Sequence, residues 1–279
     1  MPSRFDRTPF ALPADECRDN AGAYEQTIAA ALARPAPGVA DLERLVRVGV
    51  DAAAWRSAVD PAAPSIAASL RAAAAGAAAL FTLAALPAGG QAQLRFPDGD
   101  RLLTSTGFTD AADGLLWERG MFAAMASRSH EAVEVLSGVS TDLLRRSTTR
   151  TTDWGYLRIE AFAAYGRRAP DALTRTAAAS KATDASAAPA SFKNFILDIA
   201  GPSLDLLYAV LTRDQPAFDT ALDTALKGHK HYYSRGDGKR DILGQLALAP
   251  LALCVAARDA GLTVSVASDY LPTPVLTGK

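Results

Sequence analysis

The densest group of side chains able to do chemistry lies between residues 227 and 241. Lys227, His229, Lys230, His231, Tyr232, Tyr233, Arg235, Lys239 and Arg240 fall within fifteen positions, with Asp237 and Asp241 among them. Each chemistry these types support makes its own demand on spacing. A metal site needs converging His, Cys or carboxylate ligands. His229 and His231 alternate correctly for a strand, but on a helix two positions apart point about 200° away from each other. No cysteine is near, and Asp223 is the one carboxylate at helical spacing, so no metal and no cofactor is expected. Acid–base work on an anionic substrate is open to His229, Tyr233 and Arg235. A phosphate turn is suggested by Arg235-Gly-Asp-Gly-Lys-Arg240, which lacks the P-loop spacing and a preceding strand. No Gly-x-Ser-x-Gly elbow and no Cys/His signature is present, and Glu131 and Glu134 read as a solvated helix face. Recognition of a protein partner fits Tyr and Arg best, since both are enriched in interfaces. A structural role competes with all of these: Tyr232 or Tyr233 can pin the loop through its hydroxyl.

The elements that must position this group follow from periodicity and breakers. Asp214-Gln-Pro caps a helix that runs into the cluster, a polar glycine loop follows, and the apolar run from Ile242 to Ala260 returns as a second helix. The tail Gly261-Leu-Thr-Val-Ser-Val-Ala-Ser-Asp-Tyr-Leu-Pro272 reads as short and extended. Upstream, residues 1–13 form a polar arm. Asp15 is placed as the cap of a helix to about Arg34. Helices follow over about 41–58 and from Ser65 to the turn at Pro87-Ala-Gly-Gly90. Residues 91–106 read as strand, turn, strand around Pro97-Asp-Gly-Asp100. Helical patterning resumes at Asp110, continues in shorter pieces over about 129–137 and 140–147, and then runs from Asp153 to about Arg168 and from Pro170 to about Ser180. Residues 145–150 make a basic polar patch, read as a solvated loop or helix end. Residues 180–191 lack pattern and read as a flexible connector; the chain is read as one helical domain over 1–279, with this stretch the candidate boundary should it divide into two subdomains. Two separate helices, 191–200 and 203–212, precede Asp214. The expected fold is all-α, of roughly ten helices in antiparallel pairs with one small hairpin.

Composition sets the outer bounds. The 279 residues carry a net charge of −1, so no global field draws the chain to nucleic acid or to anionic membranes. The segment Ile66–Leu86 is nearly free of charge, but eleven of its 21 residues are Ala and Arg71 lies within it, so a buried central helix is expected rather than a membrane span. Cys17 and Cys254 are far apart and are expected as two buried, unpaired thiols. The N-terminus lacks an apolar stretch of the kind a secretory signal requires, so no such signal is expected.

The C-terminal block resembles the immunity protein 49 family of bacterial polymorphic-toxin systems. The resemblance is carried by the helix ending Ala225-Leu-Lys-Gly-His-Lys-His-Tyr-Tyr233, the helix Leu246–Ala257 and, most specifically, the tail Gly261-Leu-Thr-Val with Ser268-Asp-Tyr-Leu-Pro272. Weaker echoes include the helices of Trp117 and Trp154. The resemblance implies a mostly helical, non-catalytic cytoplasmic protein that binds a cognate toxin domain and blocks it. It supplies no catalytic residues. The surface nominated for the toxin is His229, Lys230, Tyr233, Arg235, Lys239 and Arg240, joined by Asp269 and Tyr270 of the tail. For the last two, a fold-back that locks the final helix competes with direct contact. A helical scaffold without a toxin partner, and an enzyme using His229, Tyr233 and Arg235, stand as alternatives.

Overall fold

A computed structural model describes residues 3–149, 151–183 and 192–278. The chain opens with a two-residue strand, β1 (Ser3–Arg4), and an extended arm. Three long helices follow: α1 (Ala14–Leu32), α2 (Val39–Val59) and α3 (Ser65–Ala85). The hairpin β2 (Gln91–Phe96) and β3 (Gly99–Thr104) pairs Gln91 with Thr104 and Phe96 with Gly99. Then come α4 (Gly114–Ala126), α5 (His130–Ser137), α6 (Thr141–Leu144), α7 (Asp153–Gly166) and α8 (Ala172–Ala182). The remainder is α9 (Lys193–Phe195), a π-turn over Ile196–Ala200, α10 (Gly201–Thr212), α11 (Gln215–Tyr233), α12 (Leu248–Asp259), β4 (Val266–Ala267) and α13 (Thr273–Thr277). The fold is all-α apart from the hairpin and the β1–β4 bridge.

The alanine content sets how the first helices pack. Small side chains let backbones approach closely, and α2, α3 and α4 use this in series. A Cβ on Gly49 of α2 would meet the Ser69 carbonyl of α3 at 2.9 Å, and one on Gly120 of α4 would overlap Ala77 of α3. Helix α3 is therefore enclosed on two sides, with Leu70, Ala73, Ala77 and Leu80 at 1% exposure or less. Among the described residues, three stretches are long and apolar enough to cross a bilayer: Ser65–Ala85, Lys193–Thr212 and Ile242–Asp259. The fold buries 67%, 50% and 78% of their most apolar windows in its own core. Cys17 and Cys254 are both buried and free, and burial pushes their thiol pKa values up.

Several expectations need correction. Asp15 does not cap α1. It lies inside the first turn, behind Pro13. Asp41 is likewise inside α2, where its carboxylate reaches back to the Gly38 N–H at 3.1 Å. Helical structure resumes at Gly114 rather than Asp110, with Asp113 accepting from Leu116 N–H at 2.7 Å. The segments read as two helices, 191–200 and 203–212, are one continuous helical path joined by the π-turn. Pro202 falls in the first turn of α10, directly after the π-turn, and the path runs on through it. Within the short extended tail 261–272, Val266–Ala267 pairs with β1, and a last helix, α13, begins beyond Pro272. Of the connector placed at 180–191, residues 180–182 complete α8, and 184–191 lie outside the described residues.

Candidate functional site

Helix α11 buries one stripe: Phe218, Leu222, Ala225, Leu226 and His229. These positions recur at three- and four-residue spacing, so His229 arrives in the core as the next member of an apolar face. The stripe ends one turn later at Tyr233. The ring centroid of His229 lies 4.7 Å from that of Tyr233 and 5.0 Å from that of Tyr270. Tyr233 in turn meets Tyr232 at 5.0 Å. The chain returning after the loop passes directly against Tyr233. A Cβ on Gly244 would lie 2.7 Å from the Tyr233 Cβ, so only glycine permits this approach. At that point the His229 Nε2–H donates to the Gly244 carbonyl at 3.2 Å. Removal from water is the larger effect on His229 and lowers its pKa to about 4, against a smaller upward pull from the Gly244 carbonyl. Burial likewise pushes the Tyr233 phenol up. Both groups are neutral near pH 7.

The tail and the N-terminal arm close over this cluster. Tyr270 is 1% exposed, and its hydroxyl accepts from the Thr8 N–H at 3.1 Å. Strands β1 and β4 pair in parallel, Ser3 with Val266 and Arg4 with Ala267. Arg4 bridges Asp269 at 3.1 Å. Lys230 donates to the Asp6 carbonyl at 2.9 Å and sits over the Phe5 ring. Arg7 is the hub of the closure. Its guanidinium donates to the carbonyls of Ser57 at 2.8 Å, Gln245 at 3.2 Å, Ala58 at 3.3 Å and Asp269 at 3.4 Å. One side chain thus ties together the end of α2, the turn before α12 and the tail. A cavity of about 260 Å³ remains under the arm, lined by Thr8, Pro9, Tyr233, Ser234, Gln245 and Tyr270. Replacing Arg7 by alanine leaves four carbonyls short of a donor. Charged hydrogen bonds contribute about 1.5–3 kcal/mol each at best, and these four share one residue. Urea unfolding is expected to register a loss of about 2–3 kcal/mol, and protease cleavage of the released arm before global unfolding.

The nominated surface therefore divides. His229 and Tyr270 are inside the protein and face each other, Tyr233 is half-buried between two cavities, and Lys230 and Asp269 hold the arm. For Tyr270 the fold-back role is the one the structure displays. Arg235 stands exposed just before the 3₁₀ turn Gly236–Arg240 and Lys239 and Arg240 stand exposed on it, with no ion pair among the described residues. Of the trio considered for acid–base work, His229 is buried, Tyr233 is half-buried and Arg235 is exposed and lines neither cavity beside Tyr233. The histidine titrates well below neutrality and has given its Nε2–H to a backbone carbonyl. Among the described residues, no three His, Cys, Asp or Glu side chains gather as metal ligands.

Sequence reasoning missed two features. Arg7 was passed over in a polar arm, and nothing in its neighbours signals four distant carbonyls. Arg158 did leave a signal: it lies on the buried face of α7 with Gly155, Ile159 and Phe162. A charge at an apolar-stripe position marks a buried partner. That partner is Glu118 of α4, 2.5 Å from Arg158 Nη1, while Arg158 Nε and Nη2 donate to Ser203 Oγ at 3.3 and 3.2 Å.

Fold and site together define an all-α protein whose aromatic cluster closes its own termini over the last long helices. The Immunity protein 49 family model matches residues 58–274, most of the chain, and the chain belongs to that family. The matched span contains the whole α11–tail block and begins after the arm that covers it. No curated protein and no solved structure matches the chain.

Proposed function

We propose that this chain is an immunity protein that binds a cognate bacterial toxin domain in the cytoplasm and neutralises it by contact. The observation that carries the reading is membership of the Immunity protein 49 family over residues 58–274. The chemistry of the site supports it. His229 and Tyr233 are neutral, desolvated and packed, as a structural core requires, and the exposed residues Arg235, Lys239 and Arg240 are of types suited to an interface. In this reading the protein acts without a cofactor, and neither nucleic acid nor a membrane is its partner. The near-zero net charge argues against a broad mimic of a nucleic-acid surface.

The reading is tested by co-expression. The C-terminal domain encoded by the adjacent open reading frame is produced in a naive bacterium with and without this protein, and survivors are counted. Rescue by several orders of magnitude, with a complex that survives gel filtration, is the expected result. Toxicity that this protein does not relieve removes the reading.

A further inference from the structure

A second cavity, of about 120 Å³, lies on the other side of Tyr233, between α4, α7, the π-turn and the segment leading into α12. Its apolar walls are Leu115, Phe122, Phe195, Ile199, Leu243 and Leu246. An engineered cavity of about 150 Å³ accepts a benzene ring, so this one is sized for a single ring or a branched aliphatic group. The π-turn, a feature that recurs at functional sites, places Asp198 and Ile199 in its wall, next to Phe195 at the end of α9. Gly228 of α11 makes room for that turn, since a Cβ there would overlap the Asp198 carbonyl.

The mouth is apolar and uncovered. Leu115 is 49% exposed, and Phe195 is half-buried beside it. Phe195 meets Trp154 at 6.2 Å, and Trp154 meets Phe192, 44% exposed, at 6.3 Å. Large aromatic side chains around a pocket are the usual anchors of protein interfaces. The charges at this mouth are mostly consumed. Glu118 is held by Arg158, and Asp198 accepts from His231 Nδ1 at 2.8 Å. Arg119 is the least committed of them: it makes one long ion pair, to Asp51 at 3.9 Å, and its guanidinium makes no hydrogen bond among the described residues. Across Tyr233 stand the exposed cations Arg235, Lys239 and Arg240, offset in part by Asp237 and Asp241. The charge left to recognise a partner is positive.

We propose that this face docks the toxin domain, which inserts one leucine or aromatic side chain between Leu115 and Phe195 and sets a flanking carboxylate on Arg119. The proposal rests on the immunity reading above and adds the face and the chemistry of the partner. Binding is measured by calorimetry with the neighbouring gene's C-terminal domain, inactivated so that it can be purified. Leu115→Asp is expected to weaken the complex about 30-fold or more, and Arg119→Gln about tenfold, because both sit at the anchor. Leu102→Asp, on the hairpin, serves as the control: Leu102 is 59% exposed, and its substitution leaves binding unchanged. Thermal melts confirm that each variant is folded, as expected for positions this exposed or this free of hydrogen bonds. A wild-type complex that tolerates Leu115→Asp and Arg119→Gln within about threefold overturns the docking face and leaves the immunity reading standing. Absence of both complex and rescue with the wild-type chain overturns the two together.

Discussion

Replacing Arg158 alone with leucine is expected to destabilise the fold by about 3 kcal/mol, while replacing Arg158 and Glu118 together with leucines restores most of the loss. Arg158 is 1% exposed, and its guanidinium packs against the edge-to-face pair of Phe122 and Phe162, 5.3 and 5.5 Å from their ring centroids. A guanidinium in that setting has lost its hydration and recovers it only through Glu118 and Ser203 Oγ. Removing the arginine strands Glu118, whose side chain is 14% exposed, in a pocket wall. The carboxylate then protonates or drags water inward, which keeps the cost near the lower end of the range for broken buried pairs. The double replacement removes both desolvation costs and leaves apolar side chains against apolar neighbours. Against a total stability of about 5–15 kcal/mol, the single variant forfeits a large fraction and the double little of it. Urea unfolding of the wild type, both single variants and the double makes a complete cycle. If the double variant is as unstable as Arg158→Leu, the pair is held by packing rather than by charge, and the argument fails.

The second large effect is on pH. His229 has a pKa of about 4 in the folded protein, where burial is the dominant cause, against about 6.5 when unfolded. Above pH 6.5 the ring is neutral in both states and the stability is at its full value. As pH falls from 6.5 towards 4, the unfolded chain takes up a proton that the folded protein refuses, and stability drops. Below the folded pKa both states are protonated and the loss levels off. Two and a half units at 1.36 kcal/mol each amount to about 3 kcal/mol. His229→Phe keeps the ring, fills the same space between Tyr233 and Tyr270 and cannot titrate. It forfeits the hydrogen bond to the Gly244 carbonyl, at a cost of about 1–2 kcal/mol at neutral pH. The measurement is the unfolding free energy of both proteins between pH 4 and 7. The wild type is expected to lose more stability than the variant across that window, so that the two curves cross between about pH 6 and pH 5 and the variant is the more stable protein at the acid end. Parallel curves would show that His229 titrates normally and that the ring is wetter than the structure places it.

The helical elements were legible because each obeys a local rule. The i, i+4 stripe Phe218, Leu222, Leu226 and the Asp214 cap both lie within a few residues of the bonds they make. The hairpin was legible for the same reason, with Pro97-Asp-Gly-Asp100 between two alternating runs. The candidate site was read less well, and the histidine shows why. Its residue type suggested a surface cluster, while its position on the α11 stripe placed it in the core, and the stripe prevailed. The residue types at 229–240 and 269–270 identified a place of many polar and aromatic contacts. They did not distinguish groups facing one another from groups facing water, since that depends on what the rest of the chain lays over them.

By itself, then, the sequence determined the all-α character, the hairpin, the caps at Asp214 and the family that its C-terminal block belongs to. All of these reside in short windows, where propensity and periodicity act. Tertiary structure alone decided three things: that residues 3–10 close over Tyr270, that Arg7 gathers carbonyls from Ser57, Gln245 and Asp269, and that Arg158 meets Glu118. These contacts join residues 40 to 262 positions apart. No local preference encodes a contact at that range. It exists because burying the apolar stripes of α2, α4, α7 and α11 against one another leaves those polar groups beside each other, where each must find its partner or pay the cost of lost water.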